Sequence, residues 1–244
     1  MANPLRKLRD HFLRDLINRI NDLETGIRVV VSDPDYRHEA RRGFNALRGR
    51  QRIFEELATA IAFANCVETG TFLGESTGFM ATHTGRPVFS CERNPSLHAL
   101  AKFRLKAVPQ ATLMLGDSRA LLQELSRKPQ VVEGDCFLYL DAHWGRDVPL
   151  NEEIEIVATR WKRFVIMIDD FEVPDDPGYT HGHYGTLKAI GMDGLRERHG
   201  LRAWFPTTPS REEWAGAPGN VVLAKEGPHG AVLDRMTSIR RHAG

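Results

Sequence analysis

Leu5, Leu8, Phe12, Leu16, Ile20 and Leu23 recur every three or four residues, a spacing that predicts an amphipathic helix at the start of the chain. The polar break SDPDY interrupts it. A second helical stretch, roughly residues 35–64, closes on an apolar face of Ile53, Phe54, Leu57, Ile61 and Phe63. Beyond it the texture changes to short apolar runs: CVET, PVFSCE, ATLMLGDS, CFLYLDAH and RFVIMIDDF, then RAWFP and NVVLAK. Several show no alternation, as expected of strands covered on both faces. Helical segments fit between them at Ser76 to Thr84, Pro95 to Lys106, Ser118 to Arg127 and Leu150 to Trp161. Strand, helix, strand repeated in this way predicts an α/β fold with a mostly parallel, doubly wound sheet.

Composition narrows the partners. With 33 Lys and Arg against 32 Asp and Glu, the chain has no global basic field to hold a nucleic-acid backbone. The basic stretches RKLRDHFLRDLINRI and RHEARRGFNALRGRQR carry apolar residues at helical spacing and read as solvated helix faces, so no nucleic-acid partner is expected. No run is long and apolar enough to suggest a membrane partner. Cys66, Cys91 and Cys136 are odd in number and widely spaced, each in or beside an apolar run. They read as buried reduced thiols and point to the cytoplasm, and the charges near the N-terminus leave no secretory signal.

In an open parallel sheet, ligands bind outside the carboxyl ends of the strands, so the residues that end each run matter most. Five successive predicted strands end in acid: Glu68, Glu92, Asp117, Asp141, and Asp169 with Asp170. Carboxylates converging on one rim repel unless they bind donors or a cation. The first ends in VETGTFLGEST, where Gly70 and Gly74 allow a tight turn and close approach of a ligand, and the next helix offers unpaired N–H groups. That is a nucleotide-binding edge, or simply a tight turn. A dinucleotide fingerprint fails, because Phe72 stands where its second glycine would be.

The loop instead resembles motif I of the class I S-adenosylmethionine-dependent methyltransferases, an acidic residue followed by spaced glycines: Glu68, Gly70 and Gly74, with Phe72 replacing the commoner middle glycine. The resemblance implies S-adenosylmethionine as cofactor, held by Glu68, Thr69, Gly70, Thr71, Gly74, Ser76 and Thr77. It implies a Rossmann-like sheet with a final antiparallel strand. Glu92, about twenty residues on, is placed to accept both ribose hydroxyls. Asp117 and Ser118 match the position that contacts the adenine amino group in that family. The likeness spans approximately residues 60–225. It divides the chain into an N-terminal helical extension, 1–60, and a methyltransferase domain, 61–244. The extension's apolar stripe needs a partner surface, over the acceptor site or in a homo-oligomer.

The fourth and fifth strand ends, YLDAHWG and MIDDF, would bring Asp141, Asp169 and Asp170 together as hard oxygen ligands suited to Mg²⁺. This set resembles that of the Mg²⁺-dependent O-methyltransferases, both the catechol and caffeoyl-CoA type and the antibiotic-sugar type acting on macrolide and aminocoumarin deoxysugars. The double aspartate leans toward the latter. That implies methyl transfer to a hydroxyl of a small molecule, a sugar or polyol unit of a natural product or glycan. The catechol enzymes use a lysine just after the first metal aspartate; DAHWGR has none, and His143 is the candidate base, with Asp141 beside it. His181 and His183, in the loop DDPGYTHGHYGT, are the alternatives. Trp144, His181, His183 and Tyr184 are candidates to line the acceptor site. Two other readings stay open: a methyltransferase without metal, in which Asp141 and Asp169 meet an amine acceptor directly, and an S-adenosylmethionine-binding protein without turnover.

Overall fold

The computed structural model describes residues 43–143 and 147–242, together with Leu13, Ile17 and Ile20, which are helical and exposed. The rest of the first predicted helix, and Trp144, lie outside the described residues. From Gly43 the chain turns through Phe44–Ala46 and enters α1 (Arg48–Ala60). There follow β1 (Asn65–Thr69), α2 (Glu75–Thr84), β2 (Val88–Glu92), α3 (Pro95–Arg104), β3 (Ala111–Leu115), α4 (Ser118–Leu125), the short α5 (Pro129–Val132) and β4 (Asp135–Leu140). Then come α6 (Leu150–Arg160), β5 (Arg163–Ile168), α7 (Met192–His199), β6 (Leu201–Pro206), β7 (Val221–Lys225), α8 (Pro228–Leu233) and β8 (Ile239–Arg241).

The eight strands form one sheet in the order β3-β2-β1-β4-β5-β7-β6-β8. β1 to β5 pair in parallel, whereas β7 runs antiparallel to both β5 and β6, and β8 antiparallel to β6. The expected reversed strand is therefore joined by a second one. β8 is three residues, Ile239–Arg241, with no apolar run to announce it. Strand order reverses between β1 and β4, the switch point at which such sheets open a ligand crevice.

Side chains alternate between the two faces of a strand, and in β4 and β5 both faces are buried. Leu138, Leu140, Ile166 and Ile168 join Leu121, Ile154 and Val157 in one core. Phe137, Tyr139, Val165 and Met167 join Phe44, Ile53, Phe54, Leu57 and Phe79 in the other. Phe54 and Phe137 meet edge to face at 4.9 Å, a favourable arrangement for two ring quadrupoles. Residues of the 44–60 segment thus form a layer over this second face of the sheet. Helix starts are fixed locally: Asn94 accepts hydrogen bonds from the N–H groups of Ser96 and Leu97, with Pro95 at the first helical position, and Asp117 caps α4 through Arg119 N–H. Among the described residues no helix is long and apolar enough to cross a membrane.

Candidate functional site

The loop after β1 crosses the switch point. Gly70 has φ +88°, and a Cβ there would lie 2.5 Å from the carbonyl oxygen of Asp141, so only glycine lets the β1 and β4 ends approach this closely. The N–H groups of Gly70 and Thr71 donate to Cys91 O, tying the turn to β2. Gly74, at φ +80°, opens α2. Phe72 also has positive φ, +48°, a strained conformation for a residue with a Cβ, and its ring is exposed.

The hydroxyls that looked like ligand contacts are mostly committed to the protein. Glu68 is buried and accepts hydrogen bonds from Thr77 Oγ1 and, at 2.6 Å, from Ser90 Oγ, which also pairs with Thr71 Oγ1. Burial pushes the Glu68 carboxyl up to about 7 despite those two donors. Thr69 Oγ1 accepts from Asp141 N–H, and Ser76 Oγ from Phe44 N–H. These residues build the loop from beneath. On the rim stands Glu92, whose two oxygens accept from Phe72 N–H at 2.9 Å and Asn94 N–H at 2.8 Å. Beside it in the sheet is Leu115, exposed at the end of β3. Asp117 is gripped by Arg119, which holds its carboxyl below the usual range and also pairs with Asp147 and Glu152. Ser118 is buried in the first turn of α4.

At the other end of the rim the two neighbouring aspartates part company. Asp169 continues the face of Val165 and Met167 and turns toward α1. There Arg50 Nη2 forms a buried ion pair with its Oδ1, which also accepts Asp170 N–H at 2.6 Å. Its Oδ2 accepts from Tyr139 Oη at 2.7 Å and Asn45 Nδ2 at 2.8 Å. Asp170, with φ +53°, meets Tyr184 Oη at 3.2 Å. Burial, then Asp169, raises both Asp141 and Asp170 above the usual carboxylate range.

This arrangement does not fit the expected Mg²⁺ set. Both oxygens of Asp169 are saturated, one by a permanent cation, and among the described residues no three His, Cys, Asp or Glu side chains are grouped to hold a metal ion. Of the three expected ligands, Asp169 is turned into the α1 layer by side-chain alternation, while Asp141 stays near it through the Tyr139 hydroxyl, which lies 3.4 Å from Asp141 Oδ2.

His143 is buried, with its Nε2 3.6 Å from Glu153 Oε2 and its ring centroid 5.1 Å from that of Tyr184. Among the described residues, neither His143 nor Glu153 has a side-chain hydrogen bond. Tyr184 therefore links His143 to Asp170. His183 stacks edge-on to Tyr184 at 5.3 Å and is exposed, as is His181, whose Nδ1 lies 3.0 Å from Gly182 O. The loop sits on β5: Gly182 N–H donates to Asp170 O, and a Cβ at Gly185 would lie 2.1 Å from that same oxygen. Arg50 and Glu153 escaped motif reading, yet each lies on an apolar stripe, Arg50 with Ile53, Phe54 and Leu57, and Glu153 with Leu150, Ile154 and Val157.

A sheet of this order, reversed at β7 and carrying a glycine-bearing loop at the β1/β4 switch point, has the class I S-adenosylmethionine-dependent methyltransferase fold. The chain is similar to the O-methyltransferase TomG from Streptomyces achromogenes, involved in tomaymycin synthesis and solved with SAM (TM-score 0.55, 18% identity, covering 73% of this chain and 80% of that one). It is similar to an O-methyltransferase from Bacillus cereus solved with SAH (0.57, 18%, 84% and 91%). It is also similar to cofactor-bound Rv0187 from MTB (0.56, 19%, 93% and 100%). No family model and no curated protein matches the sequence.

Proposed function

We propose that this protein is an S-adenosylmethionine-dependent O-methyltransferase that acts on a hydroxyl of a small molecule, a sugar or polyol unit. The observation that carries this reading is the switch point, where the Gly70 turn lies against Asp141 and Glu92 stands fixed on the rim. The cofactor supplies a methyl group on a sulfonium, and its residues here would be Gly70, Phe72 and Gly74 through the backbone, Glu92 at the ribose, and Asp117 with Ser118 at the adenine. Exposed Phe72 and Leu115 give apolar surface for a planar base. Two solved O-methyltransferases of this fold hold SAM or SAH, which supports the same ligand here.

At the acceptor end, His143, beside Glu153 and Tyr184, takes the hydroxyl proton. Asp141, Asp170 and Tyr184 are the hydrogen-bonding groups that would position the hydroxyls. Asp169 is held by Arg50 and so stays out of the proton transfer. Among the described residues the three cysteines are buried and free, which supports a reducing, cytoplasmic setting.

Calorimetric titration with S-adenosylhomocysteine, a stable ligand that needs no acceptor, tests the proposal. Micromolar binding is expected, weakened at least ~10-fold in Glu92→Ala, on the order of 1.4 kcal/mol. Absence of binding to the folded protein would return the chain to an unassigned nucleotide-binding fold.

A further inference from the structure

Three acidic residues end two adjacent strands, and a cation among them lowers their mutual repulsion. The structure supplies one from within. Arg50, on α1, is buried, and its guanidinium bonds Pro218 O at 2.6 Å, Gly219 O at 3.1 Å and Tyr139 Oη at 3.4 Å besides its ion pair with Asp169. It is thus fixed by the β4 and β5 ends and by the segment entering β7. Asn45 completes the shell of Asp169 from the turn at Phe44–Ala46, three successive residues with φ between +57° and +59°. Such a left-handed turn is strained for residues that carry a Cβ, so the surrounding core must hold it in place. An arginine cannot give up its proton here, and a divalent ion brought to Asp169 would face a like charge.

We propose that Arg50 is the resident cation of this site, occupying at Asp169 the place of a divalent metal, so that the acceptor is bound and positioned without one. Asp141 and Asp170, which Arg50 does not bridge, are left to accept hydrogen bonds from acceptor hydroxyls, alongside Tyr184. The inference rests on the methyltransferase reading for its acceptor, but the metal question is answered separately from cofactor binding.

The experiment measures free Mn²⁺, a spectroscopic stand-in for Mg²⁺, by electron paramagnetic resonance against the full chain, with and without S-adenosylhomocysteine. The wild type is expected to bind no stoichiometric Mn²⁺, and its affinity for S-adenosylhomocysteine to be the same in EDTA. Arg50→Ala exposes Asp169 to a cation from solution and should raise Mn²⁺ affinity at least ~10-fold, a gain cancelled in Arg50→Ala/Asp169→Asn. One-to-one Mn²⁺ binding by the wild type, lost in Asp170→Asn, would overturn the proposal. So would an Arg50→Ala protein that keeps its circular dichroism and gains no affinity. If Arg50→Ala does not fold, the wild-type titration decides alone. Failure of S-adenosylhomocysteine to bind would sink the methyltransferase reading and leave the metal result standing.

Discussion

A charged side chain on an apolar stripe is the most informative residue in this protein. Arg50, Glu68 and Glu153 are all buried rather than turned to solvent. Burying a charge is costly unless it is paired or hydrogen-bonded, so each position demands a partner: Asp169 for Arg50, and Ser90 and Thr77 for Glu68. Glu68 gives this a measurable signature. Its carboxyl is raised from 4.5 to about 7 by burial, so the folded protein holds the proton more tightly than the unfolded chain. Its contribution to stability is therefore greatest at low pH, declines as pH rises from about 4.5 to 7, and is flat above that. Glu68→Gln should lose this slope and, at pH ~8, exceed the wild type by up to about 3 kcal/mol. Urea unfolding of both proteins across that range checks it; parallel curves would mean that Glu68 stays ionised when buried.

At the scale of elements, α1 sets both the core and the site. Phe54 and Leu57 seal the face of β4 and β5 that carries Tyr139, while Arg50, one turn earlier, reaches the strand ends. The sequence made the strand ends and the glycine turn legible, because apolar runs, glycines and terminal acids are local signals. The destination of Asp169 needed two elements at once: the odd-numbered face of β5 and the buried face of α1, which lie 119 residues apart at Arg50 and Asp169. Phe54→Ala should cost about 3–5 kcal/mol, seen as a lowered urea midpoint with an unchanged slope. A chain beginning at residue 61 lacks this layer altogether and should show no cooperative unfolding transition.

At the scale of the whole molecule, the proposed cofactor binding at the switch point would couple to global stability, because the loop after β1 is bonded to β2 and the end of β4 to β1. At a hundredfold excess over its dissociation constant, S-adenosylhomocysteine should add about 2.7 kcal/mol. For a chain of this size that is a rise in melting temperature of roughly 5–10 °C. Calorimetric melting reads it, and an unmoved midpoint at saturating ligand would contradict a native-state site. By itself the sequence determined the alternation of strands and helices, the mostly parallel sheet and the acidic carboxyl rim, since each follows from periodicity and residue type along short stretches of chain. Only the tertiary structure decided which acids face one another. Asp169 and Asp170 are neighbours in sequence but turn to opposite layers, and the cation that balances Asp169 comes from a helix before the first strand. Electrostatic partners are chosen by distance in space, and that is fixed only once both layers close on the sheet.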